Sequence, residues 1–185
     1  MKKTLQRILA TALLTTSLSA TAAEGDYAIE LVIFAQKNPE VGAHPYDSTE
    51  PGVTPPASAG AVQLKAYNGA PLSQLERLPS SRLTLADDAA RLRRQGYQIL
   101  WQGGWYQHVN KGRNPQIQLF SGDGRVEGVV KVDRSRYLHL QPDLLLSSGA
   151  EQPQYRLQQS RRMKSKELHY LDHPRFGILA IIRPL

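Results

Sequence analysis

Residues 154–185 read QYRLQQSRRMKSKELHYLDHPRFGILAIIRPL, and this stretch decides the fold. Tyr155, Leu157 and Gln159 alternate with more polar neighbours, a pattern typical of a strand with one solvated face. The sequence Asp-His-Pro at residues 172–174 indicates a turn, because Asp folds onto nearby backbone and Pro restricts its own φ. Residues 176–182 are almost wholly apolar, as in a strand buried on both faces. We therefore predict a hydrophobic hairpin that carries a basic ridge, formed by Arg161, Arg162, Lys164 and Lys166.

The residues before this hairpin predict more strands than helices. The β-branched run at residues 26–36 is typical of a central strand, and we expect it to lie beside the strand at 176–182. Shorter alternating segments follow from Tyr97 onward, with a hairpin turn at residues 121–124. The predicted fold class is α+β: a mostly antiparallel sheet of about six to seven strands, with one main helix packed on one face.

The main helix is expected at residues 84–95. Thr84 is the predicted N-cap, and Asp87 three residues later completes a capping-box-like pair. Gly96 is expected at the C′ position, where a left-handed conformation ends many helices. A second, short helical piece is predicted at residues 71–78, before Pro79. Glycines 103 and 104 predict a kink or bulge in the strand that begins at Tyr97.

The first 23 residues have the features of a secretory signal. Basic residues at positions 2, 3 and 7 precede a short apolar run, and Ala20-Thr-Ala22 offers a cleavage site. We expect the remainder, residues 24–185, to form a single periplasmic domain with no membrane insertion. Within it, residues 38–60 contain five prolines and three glycines and predict a long mobile loop.

Composition restricts the possible chemistry. The chain has no cysteine, which excludes disulfides, thiolate metal sites and thiol catalysis. Loss of the leader leaves 20 Lys and Arg against 16 Asp and Glu, so that the formal net charge falls from +7 to +4. A modest positive excess suits an anionic envelope polymer and is too small to indicate nucleic acid.

Three stretches together form a recognisable pattern: Tyr27-Ala-Ile-Glu-Leu-Val-Ile-Phe-Ala35, Tyr97-Gln-Ile-Leu-Trp-Gln-Gly-Gly-Trp-Tyr-Gln107 and residues 161–179 of the hairpin. In these stretches the chain resembles the CsiV family of envelope proteins, which are described as peptidoglycan-binding and needed for cell-shape integrity. The resemblance covers most of the chain after the leader. It implies peptidoglycan as a partner, together with a peptidoglycan-synthesis complex such as a penicillin-binding protein and its lipoprotein activator.

Candidate binding residues are aromatic or basic. Flat aromatic rings stack on sugars, and arginine grips carboxylates with two hydrogen bonds. Among the aromatic residues, Trp105 is the better candidate for exposure, whereas Trp101 is as readily a core residue. If their strand is regular, Arg161 and Arg162 leave it on opposite faces. The candidate ligand-binding residues are Trp101, Trp105, Tyr106, Arg161, Arg162, His169 and Tyr170.

Catalytic motifs are weak in this sequence. Gly-x-Ser-x-Gly and His-Glu-x-x-His are both absent, and His169 and His173 have metal-like spacing only if they lie on a helix. We predict no catalytic residue, no metal site and no cofactor. The favoured function is a non-catalytic peptidoglycan-binding protein that supports wall synthesis and cell shape. The alternatives are an adaptor that docks a partner through its sheet edge without glycan contact, and, less favoured, an envelope hydrolase.

Overall fold

A computed structural model describes residues 25–37, 55–69, 71–147 and 154–185. The predicted leader and residues 38–54 of the predicted loop lie outside the described residues. In the described part, no helix is both long enough and apolar enough to span a membrane. The elements are β1 (Gly25–Ala35), β2 (Val62–Gln63), a 3-10 turn (Ser80–Arg82), α1 (Ala86–Arg94), β3 (Gln98–Val109), β4 (Gln116–Phe120), β5 (Val126–Arg134), β6 (Leu138–Ser147), β7 (Gln154–Gln158), β8 (Arg161–Met163), β9 (Leu168–Asp172) and β10 (Phe176–Pro184).

The strands form two sheets. The four-stranded sheet has the order β3-β1-β10-β9 and is antiparallel throughout. The six-stranded sheet has the order β2-β4-β5-β6-β7, and β8 pairs with the part of β6 that β7 leaves free. As predicted, β1 is central and pairs with β10 along its length, with Leu31 opposite Ala180.

The predicted α+β class is wrong, because the described residues are mostly β: 55% lie in strands and 9% are helical. Strands β4 to β7 bury alternate side chains along most of their length, with Val129 and Leu145 as buried exceptions, whereas β1 buries nearly every residue. A strand that is apolar on both faces requires a cover on each. The six-stranded sheet covers one face of β1 and shares a hydrophobic core with it. The alternating strands therefore form a second sheet that packs on the first.

The helix α1 covers part of the other face of the four-stranded sheet, where Leu85 and Ala89 pack against Val32. It begins at Ala86, and its first turn receives no side-chain hydrogen bond from its own N-cap residue, so the predicted capping box is wrong. Instead, the carboxylate of Glu30 on β1 accepts hydrogen bonds from the backbone nitrogens of Thr84 and Leu85 and from the Thr84 hydroxyl. A strand residue thus satisfies donors just before the helix.

The end of α1 agrees with the prediction. Gly96 has φ of +85°, a conformation that glycine adopts without steric cost. Its N–H bonds to the Arg93 carbonyl, and the N–H of Tyr97 bonds to the Leu92 carbonyl. These two bonds form a Schellman motif, which satisfies carbonyls at the end of the helix.

Two smaller predictions are wrong. Residues 71–78 form no helix; instead Leu75 and Leu78 donate backbone hydrogen bonds to Tyr106 and Gly104 and cover the outer edge of β3. So short a segment gains little from helix formation, since nucleation is unfavourable. The irregularity in β3 lies near Leu100 rather than at the two glycines, because the pairing shifts opposite Ile33 and Phe34. Gly104 instead allows β3 to lie close to β1, because a Cβ at this position would lie 2.6 Å from the Ile29 carbonyl oxygen.

Candidate functional site

The seven predicted ligand-binding residues do not converge on one site. They lie on three strands of the two sheets, and their side chains differ in exposure. Trp101, Trp105 and Tyr106 lie on β3, Arg161 and Arg162 lie on β8, and His169 and Tyr170 lie on β9. Strand β8 belongs to the six-stranded sheet, whereas β3 and β9 are the opposite edges of the four-stranded sheet.

Both tryptophans belong to the core. Trp105 is completely buried and Trp101 is 8% exposed. The indole nitrogen of Trp105 donates to Oε1 of Gln107 at 2.9 Å, so its polar atom also has an internal partner. The prediction that Trp105 is exposed is therefore wrong. Its position opposite Ile29 on the central strand directs it between the two sheets, where a large aromatic side chain fills space.

Tyr106 faces away from Trp105 because successive strand residues alternate. It is half-buried, and its hydroxyl hydrogen-bonds with Asp26, as does Nδ1 of His108 at 2.8 Å. The bond with His108 and then that with Tyr106 lower the pKa of Asp26. Burial, and next the bond with Asp26, raise the pKa of Tyr106. The hydroxyl of Tyr106 is therefore already bound within the protein.

The two arginines are exposed at the edge of the six-stranded sheet. Arg162 pairs with His139 and Arg161 with Leu140, so the register directs their side chains to opposite faces, as the alternation predicts. The Arg162 guanidinium lies over the Tyr137 ring, 4.8 Å from its centroid. Within the described part of the chain, the Arg161 guanidinium has no ion pair or hydrogen bond. Arg161 is thus the freer of the two cations.

Tyr170 is the predicted aromatic residue that the structure places at the surface, with 42% of its area exposed. Its ring stacks on Phe34 at a centroid distance of 6.1 Å and an interplanar angle of 13°. Its hydroxyl donates to Oδ1 of Asp172 and accepts from Nε2 of Gln36, which also donates to Asp172. These contacts hold the ring in one orientation. We call Phe34, Gln36, Tyr170 and Asp172 the Tyr170 platform.

The Tyr170 platform has polar and aromatic groups around a protonated phenol. Burial, and next the hydrogen bond to Asp172, raise the pKa of Tyr170 to about 12, so its phenol stays protonated at neutral pH. Tyr97 packs edge-on against Phe34, and Nζ of Lys37 lies 5.8 Å from the Tyr97 centroid. An aromatic ring held beside amide, carboxylate and ammonium groups offers stacking and hydrogen bonding, both of which suit a sugar.

Sequence reasoning found Tyr170 and missed its partners. Gln36 follows the apolar run of β1, and the sequence pattern at Asp172 indicates only a turn. That turn is confirmed, since the His173 N–H bonds to the Phe176 carbonyl across it. The pairing of β1 with β10 and of β10 with β9 brings positions 36 and 172 together. A signal for Gln36 was its place as the first polar residue after a buried strand.

His169 and His173 do not form a metal pair. Nε2 of His169 accepts the backbone N–H of Lys164 at 3.1 Å. His173 is buried beside Phe176, and its Nδ1 accepts the N–H of Arg175. Among the residues that the structure describes, no group of three or more His, Cys, Asp or Glu side chains is arranged to hold a metal ion.

Comparison with known proteins identifies the family. A family model described as "Peptidoglycan-binding protein, CsiV" matches residues 6–185. No curated protein and no solved structure matches the chain. The match extends through both sheets and includes the Tyr170 platform and β8. Because the matched region is nearly the whole chain, this protein belongs to the CsiV family of peptidoglycan-binding proteins.

Proposed function

We propose that this protein is an exported, non-catalytic, peptidoglycan-binding protein of the periplasm that supports wall synthesis and cell shape. The family supports peptidoglycan as the ligand. The observation that carries the proposed site is the Tyr170 platform, whose ring is exposed yet held by Phe34, Gln36 and Asp172. A ring that is already ordered loses little conformational entropy when a sugar stacks on it.

Strand β8, with its exposed arginines 161 and 162, supplies the complementary chemistry. Peptidoglycan carries free carboxylates on its peptides, and a guanidinium meets a carboxylate with two parallel hydrogen bonds. Arg161 is exposed and has no partner for its guanidinium in the described residues, so it is the proposed carboxylate contact. In the family context, the proposed partners also include a penicillin-binding protein and its lipoprotein activator.

Sedimentation with purified sacculi tests the platform. Tyr170→Ala is expected to weaken binding by up to about tenfold, since an aromatic contact contributes about 0.5–1.5 kcal/mol beyond its buried area. Tyr67→Ala is the matched control, because Tyr67 is also a tyrosine with 42% exposure and lies in a different segment. Equal sacculus binding by the parent and both variants would exclude the platform as the site.

Export has a direct test. Protein recovered from the periplasm is expected to lack about 22 or 23 residues, as the signal pattern at residues 1–23 predicts. Intact-mass measurement gives the answer. A full-length mass in that fraction would contradict cleavage, and recovery only from the cytoplasm would contradict the proposed location.

The second candidate function is an adaptor, which the exposed edge strand β9 favours. β9 is the last strand of the four-stranded sheet, and it exposes Leu168 as well as Tyr170. An edge strand of this kind can accept a strand from another protein. Leu168→Arg separates the two functions. It should abolish capture of the synthesis-complex proteins if β9 docks a partner, while sacculus binding through Tyr170 stays intact.

A further inference from the structure

The outer face of the six-stranded sheet carries a groove that lies apart from the Tyr170 platform. Six outward side chains line its central part in two rows that follow the strand register. Gln116, Lys131 and Gln141 form one row across β4, β5 and β6, and Val129, Asp143 and Gln158 form the other across β5, β6 and β7. At about 4.8 Å between strands, four strands span about 14 Å.

The groove continues beyond this central part. Its central depression has a volume of about 420 Å³, and an adjoining depression of about 540 Å³ reaches Arg113 and Asn114. Gln116 and Lys131 line both, so the two depressions meet at these side chains. Two adjoining depressions suit a ligand with repeated units better than a single small molecule.

The charged groups of the central part are already paired. Nζ of Lys131 lies 2.7 Å from Asp133, and Asp143 accepts two hydrogen bonds of 2.7 Å from the Arg156 guanidinium. A charged ligand that bound there would have to compete with these internal pairs. The central groove is therefore poorly suited to the carboxylates of a peptide.

The amides, by contrast, keep free hydrogen-bonding atoms. The Gln116 side chain has no hydrogen bond to any of the described residues. Gln141 and Gln158 use only their nitrogens, toward Asp133 and Asp143, which leaves their carbonyl oxygens available. An amide both donates and accepts, and the free oxygens match the O–H groups and acetamido N–H groups of an N-acetylated sugar.

We infer that this groove binds the uncharged glycan strand of peptidoglycan and is a second site, separate from the Tyr170 platform. The inference rests on the proposed function, because it takes peptidoglycan as the ligand. The site divides the polymer by chemistry: neutral sugar units lie on the amide rows, and the charged peptides stay outside the groove. Binding in the groove should then depend little on salt, unlike binding through exposed charges.

Calorimetric titration with an N-acetylglucosamine tetrasaccharide tests the groove. Gln116→Ala and Gln141→Ala should each weaken the affinity by about three- to tenfold, the range for loss of a hydrogen bond. Gln98→Ala is the control, since Gln98 is an exposed glutamine on the four-stranded sheet. Affinity should be equal at low and moderate salt, and thermal midpoints should match that of the parent.

The outcomes separate the two proposals. If the parent sediments with sacculi but does not bind the tetrasaccharide, or if the groove variants bind it like the parent, the groove assignment fails and the proposed function stands. If a free stem peptide competes for the groove while the tetrasaccharide does not, the assignment to glycan is overturned. If the parent binds neither sacculi nor tetrasaccharide, both proposals fail.

Discussion

Removal of the Glu30 carboxylate should destabilise the protein more than any change in the predicted capping box. Glu30 is fully buried on β1. Its oxygens accept from the Thr84 backbone nitrogen at 2.8 Å, the Thr84 hydroxyl at 2.9 Å and the Leu85 nitrogen at 2.6 Å. Arg183 lies 3.6 Å away. One carboxylate thus joins β1, the segment before α1 and the last strand.

The expected magnitude follows from these contacts. Hydrogen bonds to a charged group contribute about 1.5–3 kcal/mol each, and they are not additive when one group makes several. Removal of one partner of a buried charge pair costs about 3–5 kcal/mol. We therefore expect Glu30→Ala to lower the free energy of unfolding by about 3–5 kcal/mol. Glu30→Gln keeps the shape and one acceptor, so about half that loss is expected.

Thermal and urea unfolding, followed by circular dichroism, measure the effect. One kcal/mol shifts the midpoint of a domain of this size by about 2–4 °C, so Glu30→Ala should unfold at least about 6 °C below the parent. Glu127→Gln, an exposed carboxylate on the outer face of the six-stranded sheet, should change stability by less than about 0.5 kcal/mol. Asp87→Ala should also have little effect. If Asp87→Ala costs as much as Glu30→Ala, the assignment of the cap to Glu30 is refuted.

Three further predictions concern titration and the exposed arginines of β8. The pKa of Glu76 lies below its usual 4.5, mainly because its carboxylate accepts a hydrogen bond from the Ser73 backbone N–H. The parent should therefore be more stable than Glu76→Gln by a constant amount above pH 4.5, and this difference should shrink as pH falls below that value. A difference that does not change with pH would refute this. The pKa of Tyr170 is raised from 10.0 to about 12, so the stability that its protonated hydroxyl contributes should be full below pH 10 and should be lost as pH rises through about 12. Absorbance titrations of the parent and of Tyr170→Phe should therefore differ by one phenol that ionises at high pH. If the missing phenol ionises near pH 10, the burial of the Tyr170 hydroxyl is contradicted. Arg161→Lys should weaken sacculus binding although the charge is kept, whereas Arg162→Lys should not. If both variants bind sacculi as strongly as the parent, bidentate binding of carboxylates by arginine is excluded.

Part of the platform was accessible to sequence reasoning. Alternation along β9 and the turn at residues 172–174 place Tyr170 on one face of a hairpin, and its residue type suggests sugar stacking. Its partners Gln36 and Asp172 are 136 positions apart, so only strand pairing brings them together. The sequence does not reveal the groove for a similar reason. Its glutamines alternate with apolar residues in β4 and β7, a pattern typical of any solvated strand face, and only the strand register shows that they form rows.

Local patterns by themselves indicated most of the strands, the main helix and its end at Gly96, although they predicted about six to seven strands and the described residues form ten. They also determined the central position of β1 beside β10, because a run that is apolar on both faces must be covered on both. These features depend on side-chain periodicity and backbone preference within a few residues, and a sequence displays both directly.

Only the tertiary structure decided the division into two sheets, the burial of Trp105 and the cap supplied by Glu30. Each depends on which surfaces come into contact after distant segments pair. A hydrophobic pattern indicates that a strand face is buried, but it does not show which element covers that face. The sequence around Trp105 is compatible with a face exposed to solvent and with a face covered by a second sheet. Glu30 reads as an isolated charge in an apolar strand until Thr84 and Leu85 are placed over it.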